Sequence, residues 1–351
     1  MQKNKVLLYG ANGYTGKLIA RYANEYNISP VLAGRNKEEI SALATALNLP
    51  YEMISLDDAS QLKTSLANVA VVIHAAGPFR HTAKQMIEAC IETGTHYIDI
   101  NGDISVFEFI KKYDDKAKEA NVMLLPGAGF DVVPTDCIAL QLKNELPDAT
   151  HLELAFVPIG GQISHGTATT MASKIGEGGV IRENGQFVNK PLGHKGKWIE
   201  ADGKKLFVMS IPWGDISTAF VTTGIPNIDT YTGIKPSVYR VLKLQFLFNF
   251  LLRTKFVRDT IQKKINQNPP GPTDEKRAKG KTYIWGKVNN AAGKEVIRKI
   301  VCADGYTVTA IGCLIITQKI LSGNFKAGYQ TPAGCYGKEL IFEIPGTAEI
   351  S

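Results

Sequence analysis

The segment Gly10-Ala-Asn-Gly13-Tyr-Thr-Gly16 constrains this chain more than any other. It follows the apolar run Val6-Leu7-Leu8-Tyr9 directly and opens a stretch whose apolar residues, Leu18, Ile19, Tyr22, Ala23 and Tyr26, keep helical spacing. Glycines between a strand and a helix allow a tight turn, let the backbone approach a pyrophosphate, and let the helix pack on the strand. The helix N-terminus then offers N–H donors and a positive dipole to phosphates. In a chain with 33 glycines the spacing alone means little; its place after the first strand gives it weight over a ligand-free turn.

Strand and helix signals keep alternating through the first 150 residues. Val31–Ala33, Ala70–Ile73, Tyr97–Ile100 and Val122–Leu125 read as buried strands, with helices near 38–47, 83–92, 106–120 and 134–145. Near-continuous apolar strands separated by helices mean a parallel sheet covered on both faces. From Leu152 the character changes to short alternating segments with Gly, Pro and Asp turns, as suits a mainly antiparallel sheet. Thr167–Ile175 reads as a helix, Tyr283–Val288 and Glu295–Val301 as a hairpin, and Thr307–Leu321 as an apolar helix. Asn266–Lys281, rich in Pro and charge, reads as a linker. The fold class is α/β: a doubly wound parallel sheet of the Rossmann type at 1–148, then an α+β substrate or dimerisation domain at 149–305. The segment 306–351 is a candidate to pack back on the first domain.

Composition narrows the function classes. With 351 residues, 44% hydrophobic and 21% charged, the chain is a folded protein of about two domains rather than a disordered one. Its 40 Lys+Arg against 33 Asp+Glu leave +7, which, read as spread along the chain, argues weakly for nucleic acid; none is expected as a partner. Five cysteines, an odd number without a C-x-x-C, read as buried hydrophobes in a reducing compartment. No metal is expected, because no His/Cys/carboxylate cluster has ligand spacing. Met1–Lys5 leads straight into a strand without a signal-peptide core, so the expected location is cytoplasmic. Val238–Val257 is the most hydrophobic stretch, but Arg240, Lys243, Gln245, Asn249, Arg253 and Lys255 interrupt it, so it does not span a membrane. A helix buried between domains or subunits is the favoured reading; peripheral membrane or acyl-chain contact is the sharper one.

Cofactor choice is read about 20 residues after the glycine loop, where an acidic residue would bind the ribose of NAD. This chain has Gly34-Arg35-Asn36 there. A guanidinium takes a 2′-phosphate bidentately and stacks on adenine, so the expected cofactor is NADP(H). Its expected contacts are Gly10, Asn12, Gly13, Tyr14, Thr15, Gly16, Arg35 and Asn36. Asp58, after the third strand, is placed either at the adenine amino group or as a helix cap. Ala76, Gly77, Pro78 and Phe79 close the fourth strand, where small residues admit the ribose and nicotinamide.

Short-chain dehydrogenases use a Tyr-x-x-x-Lys pair on a mid-chain helix. The matches here, Tyr231/Lys235, Tyr239/Lys243 and Tyr283/Lys287, lie far beyond the nucleotide domain, which weighs against that class. The chain instead resembles the saccharopine dehydrogenase-like oxidoreductases, in the branch with the trans-acting enoyl reductases. The segments that carry the resemblance are YGANGYTG (9–16), LAGRN (32–36), AGPFRHTAKQMIEACIETGTHYIDINGD (76–103), GFDVVPTD (129–136), PPGPT (269–273), TPAGCYG and IPGT. It departs at Asn12, where Ala-Thr-Gly is commoner, and at Asp103, where Glu is. The resemblance implies an NADP-binding Rossmann domain, a second sheet-containing domain, oxidoreductase chemistry and a homodimer; it assigns no substrate.

Hydride transfer needs a proton carrier beside the reacting carbon. Tyr97, Asp99, Asp103, Asp131 and Asp136 lie near the ends of the later strands; Asp99 and Asp131 lead, with Tyr97 beside them, against structural roles as caps or braces. His74, His81 and His165 read as ordinary hydrogen-bonding groups. The favoured function is an NADP(H)-dependent oxidoreductase that transfers hydride to a carbonyl, imine or enoyl group of a small molecule, either hydrophobic and lipid-like or amino-acid-derived. The alternative is a non-catalytic NADP(H) sensor or scaffold.

Overall fold

The computed structural model describes residues 3–173, 176–247, 249–252 and 254–351. The strands of the first third are β1 (Lys5–Tyr9), β2 (Val31–Gly34), β3 (Tyr51–Met53), β4 (Val69–His74), β5 (His96–Asp99) and β6 (Met123–Leu125). There follow β7 (Ala149–Ile159), β8 (Gly179–Glu183), β9 (Gln186–Lys190), β10 (Gly196–Ala201), β11 (Lys204–Ser210) and β12 (Asn227–Gly233). The last are β13 (Lys281–Asn290), β14 (Glu295–Ala303), β15 (Gly328–Tyr329) and β16 (Ala348–Glu349).

The first sheet is parallel, in the order β15-β6-β5-β4-β1-β2-β3. Every residue of β4 is buried, as an apolar run covered on both faces must be. The strand order reverses between β1 and β4, so a crevice opens at their carboxyl ends, the usual ligand position of such sheets. The helix Gly305–Leu321 belongs to this unit: eleven of its seventeen residues are buried, as its all-round hydrophobicity requires. It packs against the helix Tyr14–Tyr22, and Gln318 Nε2 donates to the Tyr26 carbonyl at 2.6 Å. The chain then adds β15 to the sheet edge.

The compact units are 3–133 with Gly305–Ile344, and Pro134–Asp304 with Pro345–Ser351. This differs from a division at 148/149 and 305/306. The helix Val133–Glu145 lies with the second unit because Ile138 and Leu142 cover the bare Cα of Gly286 on β13, and Glu145 pairs with Arg298 on β14. The segment after 305 is itself divided, since β16 pairs with β14.

The second sheet runs β10-β11-β12-β7-β13-β14-β16, with the β8–β9 hairpin attached to β12. It is antiparallel except where β12 lies parallel to β7, and Tyr231, Tyr283 and Trp285 fill its core. The expected linker at 266–281 holds a helix, Asp274–Lys279, capped by Thr273, with Arg277 buried. Val238–Val257 is not one helix but parts of several: Pro236–Leu242, a 3-10 turn Gln245–Leu247, Asn249–Leu252 and the start of Lys255–Asn266. No residue of the first two is buried within the chain, so the stretch is not a core helix. Phe248 and Arg253 of that stretch, and residues 174 and 175 of the helix expected at Thr167–Ile175, lie outside the described residues; the helix described there is His165–Ser173.

Candidate active site

The glycine loop is shaped by contacts only glycine permits. Gly10 has φ +85°, and a Cβ there would lie 2.7 Å from the Ala76 nitrogen, so the turn after β1 rests directly on the backbone leaving β4. A Cβ on Gly16 would lie 2.3 Å from the Gly10 carbonyl oxygen, which holds the first helical turn against the loop. Gly13 precedes the helix Tyr14–Tyr22 and makes no side-chain cap to it, as suits a helix N-terminus that receives a phosphate. Tyr14 meets Tyr306 edge-on at 5.0 Å, and Thr15 sits in the same first turn. Ala76 is fixed by Thr82, whose hydroxyl donates to its carbonyl at 2.8 Å; Gly77 and Pro78 then lead into the helix Phe79–Thr93.

At the end of β2, Arg35 is exposed, and no side chain pairs with it among the described residues. Asn36 is committed locally: it caps the next helix by accepting from Glu39 N–H at 3.1 Å. Glu39 also accepts from Asn36 Nδ2 at 3.0 Å and Asn12 Nδ2 at 3.1 Å, so one carboxylate ties the glycine loop to the Arg35 turn. Nothing in the sequence pattern pointed to Glu39, because the two elements it joins are brought together only by the β1–β2 pairing. Asp58 takes the capping role, accepting from Gln61 N–H at 2.9 Å.

The carboxyl ends of β5 and β6 hold the acid groups. Asp99 is fully buried and saturated: Oδ1 accepts from Asn101 and Gly127 N–H, both at 2.9 Å, and Oδ2 from the Tyr97 hydroxyl at 2.7 Å. Burial pushes its carboxyl up to about 6 against the opposing pull of those donors. Tyr97 also lies 3.1 Å from His74 Nδ1; with the tyrosine proton on Asp99, that nitrogen carries a proton of its own. Burial lowers His74 to about 3, so it is neutral. Through these hydrogen bonds Tyr97 and Asp99 tie the ends of β4 and β5 to the loops that follow β5 and β6.

Asp131 has the opposite character. It keeps partial exposure, and burial alone, with no opposing donor, pushes its carboxyl up to about 7. The carboxylate lies over Gly102, where a Cβ would approach its Oδ2 to 2.3 Å. Its loop is pinned on both sides: Gly127 N–H bonds to Asp99, and Phe130 N–H to Thr309 Oγ1 at 3.0 Å. Asp103 caps the helix Ile104–Lys111, and Asp136 accepts from Thr222 at 2.5 Å in the second unit, so neither joins this cluster. The sequence reading missed Gly102 and Thr309, whose parts depend on loops meeting in space; the order of His74, Tyr97 and Asp99 at consecutive strand ends was a signal open to it.

A glycine cradle beside a free guanidinium fits a phosphorylated dinucleotide. Residues 6–125 match the family model of the saccharopine dehydrogenase NADP binding domain. The cofactor of this domain is NADP(H), and the resemblance read from the motifs stands. Among curated relatives, a saccharopine dehydrogenase-like oxidoreductase of Bos taurus is 27% identical over 40% of this chain and 38% of its own length. A trans-acting enoyl reductase of Mycobacterium bovis is 30% identical over 41% and 37%. The matches thus span less than half of each of these relatives. The fold of saccharopine dehydrogenase (L-Glu forming) from Saccharomyces cerevisiae, in apo form, superposes with TM-score 0.69 over 99% of both chains at 13% identity. Among the described residues no helix is long and apolar enough to cross a membrane.

Proposed function

We propose that this protein is an NADP(H)-dependent oxidoreductase that reduces a carbonyl, imine or enoyl compound, with Asp131 as its proton carrier. The observation that carries this reading is the Asp131 carboxyl: a group pushed up to about 7 by burial, with no hydrogen-bond donor among the described residues, over the bare Cα of Gly102 and beside the strand ends where the ligand crevice opens. An acid near neutrality both holds its proton and releases it readily. The bound cofactor supplies a hydride. Asp131 delivers a proton to the oxygen, nitrogen or α-carbon left negative by hydride addition, and regains it from water. Asp99 and Thr309 act as positioning residues by fixing the loop that presents Asp131. Arg35 selects the 2′-phosphate, and Glu39 holds the loops on either side of it together.

Titration with NADPH and NADH, followed by stopped-flow oxidation of bound NADPH against a panel of enoyl, keto and imino compounds, tests the reading. Tight NADPH binding with oxidation by one class of compound supports it and names the substrate. Tight binding with an inert nicotinamide across the panel overturns catalysis in favour of a sensor.

A further inference from the structure

The second unit carries a surface on which the usual sidedness of a chain is reversed. In Pro236–Leu242 and the turn after it, the groups that face the protein are polar or aromatic. Tyr239 lies under Gly196, where a Cβ would meet its ring at 2.5 Å, and packs on Phe207 at 5.1 Å. Lys243 Nζ donates to the His194 carbonyl at 3.1 Å, and Gln245 Nε2 to that of Leu192 at 2.6 Å. The aliphatic and phenyl side chains point out: Val241 is 63% exposed, Phe246 69%, Phe250 68% and Phe256 80%. The helix Lys255–Asn266 packs on His165–Ser173, with Gln262 Nε2 donating to Thr169 Oγ1 at 3.1 Å, and that neighbour presents Met171, also 61% exposed. So many exposed large apolar side chains on neighbouring elements mark an interaction surface.

Charge identifies what covers it. Between residues 235 and 266 the sequence has eight Lys+Arg and one acidic residue, Asp259, a balance of 8 − 1 = +7. The whole chain carries 40 − 33 = +7, so the rest of the protein is neutral and the basic excess lies in this segment. The charge is thus not spread along the chain. Lys255, Lys263 and Lys264 are exposed on the same helix as Phe256. Pairing this face with itself in a twofold dimer would bring like charges together, which opposes a second copy as the occupant.

We propose that this surface docks on a lipid layer with anionic headgroups. Phe246, Phe250 and Phe256 enter the boundary between headgroups and acyl chains, and the exposed Lys255, Lys263 and Lys264 meet the lipid charge. This places the protein on a membrane surface independently of any turnover.

The test is flotation of the full chain with vesicles of phosphatidylcholine alone and of phosphatidylcholine with phosphatidylserine, at low and high salt. The wild type is expected to float with the anionic vesicles, several-fold less with neutral ones, and less at high salt. Phe246→Ser/Phe250→Ser/Phe256→Ser should lose at least about tenfold in partitioning, and Lys255→Glu/Lys263→Glu/Lys264→Glu should lose the preference for anionic lipid. An unchanged circular dichroism spectrum and unfolding midpoint of each variant show that it is folded. Absence of wild-type flotation, flotation that survives the phenylalanine changes, or equal flotation on neutral vesicles overturns the proposal. A dimer in sedimentation that those changes dissolve, without flotation, assigns the face to a second copy and overturns it as well.

Discussion

Arg35 and Asp131 govern separable properties of the site, and one substitution at each separates them. Arg35 is exposed and has no partner to lose among the described residues, so its removal leaves the fold intact. A charge-assisted contact to phosphate contributes about 1.5–3 kcal/mol, so Arg35→Ala is expected to weaken NADPH binding by roughly 10- to 100-fold while leaving NADH unchanged; parallel fluorescence titrations check this. Undiminished preference for NADPH would remove Arg35 from the account. Asp131→Asn should lower turnover about 10²-fold or more, the range of a lost general acid, with NADPH affinity retained. In the wild type, reduction should fall as pH rises through about 7, where the Asp131 proton is lost. Stability moves in the same direction. A carboxyl whose folded pKa lies above its unfolded value near 3.9 binds more protons in the native state, so its contribution is full below about 4 and is lost as pH rises to about 7. Asn cannot ionise, so denaturant midpoints of Asp131→Asn should decline less across pH 4–7 than those of the wild type; equal declines would place the raised pKa elsewhere.

At the level of elements, the site depends on turns that meet at van der Waals distance. The β1 turn rests on the Ala76 backbone through Gly10, so Gly10→Ala adds a methyl into main chain that cannot yield, at a positive φ. A positive φ alone costs about 1–2 kcal/mol for a residue with a Cβ, and the overlap adds to it. The variant should therefore lose NADPH binding and melt at a lower temperature, whereas Gly94→Ala, also at positive φ but in open space, should melt lower yet keep its affinity. Equal affinity losses in both would mean that strain rather than contact sets the binding. This glycine loop, the alternating strands and Arg35 were legible in the sequence because each is a local pattern: apolar period, turn residue, charge at a set distance. The roles of Asp99 and Asp131 were not. Both are aspartates after buried strands, and only the assembled loops show that one accepts from three donors while the other has none among the described residues. The segment 238–257 was illegible for a related reason: its hydrophobicity does not tell burial within the chain from an outward apolar face, and here Tyr239, Lys243 and Gln245 make its contacts to the protein.

For the whole molecule, the consequential feature is that the nucleotide unit is discontinuous. It closes only when Gly305–Ile344 returns to it after the second unit. The returning helix is buried along most of its length, its Thr309 holds the Asp131 loop, and β15 covers the edge of β6. A chain ending at Asp304 would leave the apolar surface of the first sheet open and β6 as a bare edge, a state prone to aggregation. The points of departure and return are adjacent, since a Cβ on Gly305 would lie 3.0 Å from the Phe130 ring, three residues before the unit boundary. A short flexible linker from Val133 to Gly305 can therefore replace the second unit. Residues 3–133 joined in this way to 305–344 are expected to be soluble, to unfold cooperatively and to bind NADPH with an affinity near that of the full chain, whereas residues 3–148 alone should be insoluble or fail to bind. Calorimetry and NADPH fluorescence on the two proteins decide the matter. Binding by 3–148 alone would show that the glycine loop and Arg35 suffice without the returning helix. Failure of the joined protein to bind, if it unfolds cooperatively, would assign part of the cofactor's affinity to residues of the second unit.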